Sequence, residues 1–318
     1  MKSKKTFTVG ILGIGGVGGY LGGKLASFYQ DDPEVEVCFI AKQQQVPLLQ
    51  QQGLQLDCAE GPLLARPHKV TADPSSIGHF DLLLVCVKNY DLEKSLDPFK
   101  GVLTSASIVL PLENGVNASA VIQQLFPQSQ VWQGCIYLVA RLISPAHVQQ
   151  TGSLNRMYFG SRGGSEEQLS FVETLLNRAG IQATHKPNIE AVLWEKFFFI
   201  SPLATLTSAY DLTVGDILDN EAYLDSLTSL MEELGQVAVL KGIKLPEGLS
   251  KKMLANLSQM PPGSSSSMQA DFKKQGKTEM YSLAGYIVEM AKESAIRVPM
   301  YETLYNKLLE KANSYPHC

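Results

Sequence analysis

Close to the start of the chain an apolar run breaks into glycines: Val9-Gly10-Ile11-Leu12-Gly13-Ile14-Gly15-Gly16-Val17-Gly18-Gly19-Tyr20. A helical pattern follows through Leu21, Leu25 and Phe28. The spacing Gly13-x-Gly15-x-x-Gly18 is a weak signal alone. Between a strand and a helix it reads as the first βαβ turn of a dinucleotide-binding fold. Gly13 would permit the tight turn, Gly15 would let a pyrophosphate approach the backbone, and Gly18 would let the helix pack close to the strand. The exposed N–H groups of Gly13, Ile14, Gly15, Gly16, Val17 and Gly18 and the positive end of the helix dipole would then face the phosphates. The competing reading is a tight turn with no ligand.

A chain of 318 residues suits two domains, each with its own core. A formal net charge of −4, with no basic run after Lys5, argues against a nucleic-acid surface. Cys38, Cys58, Cys86, Cys135 and Cys318 are odd in number, scattered and without metal-ligand spacing, so they read as reduced thiols of a cytoplasmic protein with no metal site. Lys2 to Lys5 followed by apolar residues imitates a leader, but the glycines that interrupt the apolar part favour a first strand and its turn. No apolar stretch approaches the length of a membrane span.

Val35 to Ile40 reads as the second strand. A site preferring NAD usually ends this strand in an acid that bonds the ribose 2′-hydroxyl. Here it ends in Ala41-Lys42, and a cation there suits the 2′-phosphate of NADP, unless Lys42 is merely a solvated lysine. Gln43 to Gln52 reads as a polar helix, and Leu54 to Cys58 with Leu63 to Val70 as a hairpin-like excursion. Asp81 to Val87 is continuous and apolar, as a parallel strand buried on both faces requires. It delivers Lys88 to the carboxyl edge of the sheet, where ligands bind. Ser107 to Leu112 delivers Glu113-Asn114-Gly115 to the same edge, although Asn-Gly is also a good turn dipeptide. Val131 to Leu138 and Asn155 to Gly160 are expected to continue the sheet. Glu166 to Ala179 reads as a helix and Ile181 to His185 as a last strand. From Pro187 only helical patterns remain. The expectation is therefore an α/β fold with a Rossmann domain over residues 1–186 and an all-α domain over 187–318, the active site lying in the cleft between them.

On a helix from Asn188 to Ala204, Lys196 falls near the middle of a stripe made by Ile189, Val192, Leu193, Ile200 and Leu203, and Pro202 should kink it. A lysine on an apolar face is costly unless paired, functional or snorkelling. Burial lowers its pKa, which suits proton transfer near neutral pH. A later helix, Thr278 to Ala295, starts with Glu279 on the side of its stripe. That acid is explained equally well by the helix dipole.

Several segments together resemble the ketopantoate reductase (2-dehydropantoate 2-reductase) family over nearly the whole chain. They are the glycine turn, Val87-Lys88-Asn89-Tyr90, Asn114-Gly115, Leu193-Trp194-Glu195-Lys196, and Ser266-Ser267-Met268-Gln269-Ala270-Asp271 followed by Glu279. The resemblance implies reduction of 2-dehydropantoate by NADPH to (R)-pantoate, for pantothenate and coenzyme A synthesis. It implies Lys196 as the acid that protonates the carbonyl oxygen, with Glu279 holding Lys196 or a substrate hydroxyl. Asn114 and Ser267 would bind the substrate, Asn114 also contacting the cofactor, and Lys42 and Lys88 would hold the 2′-phosphate. Hydride transfer creates an alkoxide, so an acid and a cation at the site are what the chemistry asks for. The chain departs from the family pattern at Ile200 and Ala204, where asparagines are common, at Glu113, and in Arg141 to His147, read as a loop near the cleft. Those departures leave two alternatives: a reductase of another branched 2-oxo acid, or an NADP-binding regulatory protein without turnover. A homodimer is compatible with the chain, but nothing in the sequence fixes the oligomeric state.

Overall fold

The computed structural model describes residues 6–315; the leader-like Met1 to Lys5 and the thiol Cys318 lie outside the described residues. Contacts divide the chain into two units. One holds the residues to Glu113 together with Asn117–Ile189, and the other holds Asn114–Val116 together with the residues from Glu190 onward.

In the first unit the order begins β1 (Phe7–Leu12), α1 (Gly16–Phe28), β2 (Val35–Ile40), α2 (Val46–Gln52), β3 (Leu54–Cys58), β4 (Gly61–Ala65), β5 (Lys69–Thr71) and β6 (Leu82–Val85). It continues with α3 (Leu92–Leu96), β7 (Ile108–Pro111), α4 (Ala118–Leu125), β8 (Gln130–Val131), β9 (Gln133–Ser144), β10 (His147–Gly160), α5 (Glu166–Arg178) and β11 (Gln182–His185). Six strands form an all-parallel sheet in the order β5-β2-β1-β6-β7-β8. Its central strands β6 and β7 are buried throughout, as their unbroken apolar sequences demand. Among the described cysteines Cys38, Cys58, Cys86 and Cys135 are free thiols, and burial pushes Cys38 up to about 12.

Three expectations need correcting. Of Val131 to Leu138 only Val131, in β8, extends this sheet, and Asn155 to Gly160 does not extend it. β9 and β10 are long partners in an antiparallel hairpin, and β10 also pairs in parallel with β3 and β11, making a second sheet in the order β11-β10-β3-β4. Arg141 to His147 is accordingly the hairpin's tip and not a loop, with the strands meeting at Ser144↔His147. Leu63 to Val70 is likewise divided: β4 pairs with β3 in the second sheet, and β5 pairs with β2 in the first.

The glycines beyond the turn explain how α1 fits. A Cβ on Gly22 would lie 2.7 Å from the Phe39 ring of the first sheet, and one on Gly19 or Gly23 would lie 2.5 or 3.0 Å from Val148 or Leu56 of the second. The helix packs against both sheets, so its residues from Gly18 to Ala26 are all buried.

The second unit is all helix: α6 (Ile189–Tyr210), α7 (Val214–Leu218), α8 (Glu221–Leu240), α9 (Leu249–Leu257), α10 (Ser267–Lys273), α11 (Tyr286–Glu293) and α12 (Pro299–Asn313). α6 continues through Pro202 to Tyr210. Residues 201–209 are buried without a break, and this all-round packing outweighs the ~3 kcal/mol cost of an internal proline. The expected helix from Thr278 is also modified: Tyr281–Gly285 forms a π-helical turn ahead of α11. Among the described residues no helix is long and apolar enough to cross a membrane.

Candidate functional site

The first unit carries a cavity of about 560 Å³ at the carboxyl edge of the parallel sheet. Its floor is the glycine turn. Gly13 has φ +91°, its N–H donates to the Ile40 carbonyl at 3.0 Å, and a Cβ there would sit 2.8 Å from Val87 Cγ1. Gly15 is the N-cap of α1 in extended backbone, with no side-chain cap on the helix. A Cβ on Gly15 would meet nothing within 4 Å, so its backbone faces open space. Gly13, Ile14 and Gly15 line the cavity, whereas Gly16, Val17 and Gly18 do not. Gly18 packs behind the turn, where a Cβ would fall 1.9 Å from the Gly13 carbonyl oxygen. Gly16 lies under the hairpin, with a Cβ position 2.2 Å from the Ala140 carbonyl oxygen.

Lys42, just past β2, and Lys88, just past β6, line the same cavity from different strands. The uncapped helix start, the open backbone at Gly15 and two cations suit a phosphate-bearing ligand such as a dinucleotide. Sequence reasoning missed other lining residues: Gln45, Tyr90, Asp91, Ser95 and the hairpin residues Leu142 to Pro145. Taking the hairpin tip as a loop hid the last group.

Lys196 lies in the second unit, 9% exposed on α6. The stripe expected around it is only part of the picture: Trp194, Phe197 and Phe198 are buried as well, so burial wraps the helix. Its Nζ donates to Asn114 Oδ1 at 3.1 Å. Asn114 follows β7, and Gly115 at φ +112° turns the chain so that Val116 packs on the helical core. The preceding residue, Glu195, points elsewhere and pairs with Lys252 at 2.8 Å.

Ser267 is the first residue of α10 and is exposed. The cap itself is Ser266, whose hydroxyl accepts from the Gln269 N–H at 3.1 Å and lies 2.9 Å from Thr207 Oγ1. The Gln269 amide donates to the Thr207 and Leu212 carbonyls at 3.1 and 2.9 Å, so α10 is pinned to the end of α6.

Glu279 is 2% exposed. Its carbonyl accepts from the Leu283 N–H at 3.0 Å and the Ser282 hydroxyl at 3.1 Å, where the π turn begins. In that turn the Leu283 carbonyl accepts from the Ser201 hydroxyl of α6, which also bonds the buried Tyr301 hydroxyl at 2.6 Å. The Tyr301 N–H in turn donates to Glu233 at 2.9 Å, and the Met300 N–H to the same carboxylate at 2.8 Å, so Glu233 of α8 caps α12. Burial pushes the Glu233 carboxyl up, and the two N–H bonds pull it back. A continuous buried polar chain therefore runs from Glu233 to the backbone of Glu279. The locations of Ile200 and Ala204 are apolar surroundings on α6: the first packs partly buried against the helical core, and the second is buried.

Residues 9–164 match the family model for ketopantoate reductase PanE/ApbA, and residues 188–312 match the model for the C-terminal part of the same family. The chain is 26% identical over 299 residues to the uncharacterized oxidoreductase YkpB of Bacillus subtilis (strain 168), covering 94% of this chain and 96% of the relative. It is 25% identical over 295 residues to the 2-dehydropantoate 2-reductase of Halobacterium salinarum, covering 92% and 95%. The crystal structure of a PanE/ApbA family ketopantoate reductase from Ralstonia eutropha JMP134 superposes with a TM-score of 0.88 at 26% identity, over 96% of this chain and 99% of that one. The chain thus belongs to the ketopantoate reductase PanE/ApbA family and is a pyridine-nucleotide-dependent oxidoreductase.

Proposed function

We propose that the chain reduces the C2 carbonyl of 2-dehydropantoate to (R)-pantoate with NADPH, supplying pantothenate and coenzyme A biosynthesis. The observation that carries this reading is the buried Lys196 bonded through Nζ to Asn114. The bond to the amide oxygen takes one of the three N–H donors of the lysine and aims the ammonium. NADPH, when bound, supplies the hydride. Lys196 holds a proton at Nζ, directs it at the carbonyl oxygen and releases it as negative charge develops there, a role typically worth about 10²–10⁴-fold. Asn114 keeps the lysine in register, Ser267 offers a hydroxyl to the substrate, and Glu279 supplies a negative charge to Lys196 or to a substrate hydroxyl. In the first unit the turn would take the pyrophosphate at the open backbone of Gly15 and the uncapped start of α1, Gly13 supplying the tight bend, and Lys42 with Lys88 would hold the 2′-phosphate.

A second substrate reading is favoured by Ile200 and Ala204, four and eight residues beyond Lys196 on α6. Apolar side chains there suit a more hydrophobic branched 2-oxo acid, because they cannot reward a substrate hydroxyl with a hydrogen bond.

The test is a panel of 2-oxo acids assayed with NADPH and NADH. The proposal expects the highest kcat/KM with 2-dehydropantoate and NADPH. A higher value with a larger apolar 2-oxo acid selects the second reading, and nucleotide binding without turnover on any acid points to a regulatory protein. Lys196→Ala should lower kcat by about 10²-fold or more while NADPH binding persists; unchanged kcat with chemistry rate-limiting refutes the acid role.

A further inference from the structure

The nucleotide cavity has a wall that the first sheet does not build. Leu142, Ile143, Ser144 and Pro145 of the β9–β10 hairpin line it together with Gly13 to Gly15 and Lys42. Leu142 and Ile143 are 39% and 47% exposed, and Tyr90 on the same cavity is 40% exposed. Large apolar side chains gathered on the lining of a cavity that also holds two lysines are suited to a ligand with both an apolar face and phosphates.

The hairpin is held in place. Gln45, 7% exposed, donates through Nε2 to the Ile14 carbonyl at 3.3 Å and to the Pro145 carbonyl at 3.1 Å, so one amide ties the tip to the glycine turn. The base is fixed by the close approach of Ala140 to Gly16, which only a glycine allows. Behind the tip Ala146 is buried, and its carbonyl accepts from the Gln55 N–H of β3 at 2.8 Å.

We propose that Leu142 and Ile143 form an apolar wall for the adenosine half of the nucleotide, and that Gln45 positions this wall against the glycine turn. The adenosine half is favoured because the same cavity contains Lys42 at the end of β2, where a dinucleotide-binding fold receives the adenosine ribose. Adenine is flat and apolar on its faces, and Leu142, Ile143 and Tyr90 offer it contact area that is exposed without a ligand. This inference rests on the nucleotide site proposed above.

The experiment measures Kd for NADPH and for 2′,5′-ADP, which carries only the adenosine half, by calorimetric titration of the full chain. Unliganded thermal unfolding and hydrogen exchange across residues 140–147 are followed in parallel. The double variant Leu142→Ser/Ile143→Ser should bind both ligands about tenfold more weakly or worse, and the unliganded unfolding keeps any loss of stability apart from the loss of affinity. Gln45→Ala should weaken both ligands about fivefold, and it should lose the hydrogen-exchange protection that ligand confers on the tip of the wild type. Val139→Ser, on the same hairpin and 59% exposed but outside the cavity, should bind like the wild type. If the wild type binds neither ligand, the nucleotide reading itself has failed. If it binds both and the double variant binds equally well, or Val139→Ser loses as much, the wall is refuted. A loss for NADPH with none for 2′,5′-ADP refutes the assignment to the adenosine half.

Discussion

Replacing Gly15 and Gly18 by alanine, one at a time, separates what the glycine turn does for binding from what it does for folding. At Gly15 the added Cβ meets no atom within 4 Å, and the backbone, at φ −102° and ψ −152°, is extended. Alanine is a poorer N-cap than glycine, but it also restricts the unfolded chain by about 0.4–1 kcal/mol. The two effects nearly offset, so stability should stay within about 1 kcal/mol of the wild type. The same Cβ would occupy the space into which backbone N–H groups would receive a phosphate. Loss of one such bond, worth about 1.5–3 kcal/mol to a charged group, weakens NADPH binding by about 10–100-fold. At Gly18 the balance is reversed. The Cβ would lie 1.9 Å from the Gly13 oxygen, where ordinary contact begins at 3.4 Å, so α1 must withdraw from β1 by more than an ångström. Alanine gains about 1 kcal/mol of helix propensity. Against this stands the overpacking cost of ~1–3 kcal/mol, raised because the obstacle is backbone and because α1 is also packed on the second sheet. The net expectation is a loss of about 1–2 kcal/mol or more. Urea denaturation reads stability, and fluorescence titration with NADPH reads binding. Wild-type affinity in a folded Gly15→Ala protein would refute the phosphate role of the turn, and an undiminished urea midpoint for Gly18→Ala would refute the close crossing.

Three further outcomes are expected. Lys42→Asp should raise the Kd for NADPH about tenfold or more while changing that for NADH far less; equal losses in a paired titration would refute contact with the 2′-phosphate. Glu233→Ala removes the acceptor of the Met300 and Tyr301 N–H groups at the start of α12, and should cost about 1–3 kcal/mol in a denaturant titration; a change below measurement error would refute the cap. The His147 ring bonds Asp57 at 2.7 Å and holds its carboxyl below the ordinary range, so this stabilisation is present above the unfolded pKa of about 4 and is lost as pH falls through the lower native value. Carbon-detected NMR titration should show the Asp57 pKa returning towards its ordinary value in His147→Ala, and an unmoved titration would refute the assignment.

The centre of the parallel sheet was legible because β6 and β7 are buried on both faces and β1 and β2 nearly so, and they therefore read as apolar runs. The second sheet was legible only in part: Leu54 to Cys58 and Ile181 to His185 read as strands, but the pairing of β9 with β10 was not legible. In β9 the segment Leu138 to Ile143 is apolar except for Arg141, yet Val139, Leu142 and Ile143 are exposed. An apolar run contains no information about whether its cover is another strand, a helix or a ligand. Gly19 and Gly23 were equally silent, because their meaning depends on Val148 and Leu56, which are distant in sequence. α6 defeated the stripe argument for a related reason. A helix buried all round has no favoured face, so its periodicity could single out Lys196 as unusual without saying what it touches. In the π turn after Glu279 the Leu283 carbonyl meets the Ser201 hydroxyl, a contact across 82 residues that no local pattern encodes.

Asn114-Gly115 shows why the bland and the functional readings of a motif need not compete. The dipeptide is a turn, with Gly115 in a conformation that L side chains rarely adopt. It also carries the amide that meets the buried lysine, three residues past the end of β7 and 82 positions before Lys196. The turn chemistry supplies the direction, and the side-chain chemistry supplies the acceptor. Residues 114–116 accordingly group with the helical unit although both of their neighbours in sequence belong to the first. A domain boundary drawn only at a change of secondary structure misses this insertion, since three residues have no periodicity of their own. What they have is one polar atom within 3.1 Å of an ammonium that is 9% exposed, and at that depth the partner of a charge is a stronger guide to organisation than the order of the chain.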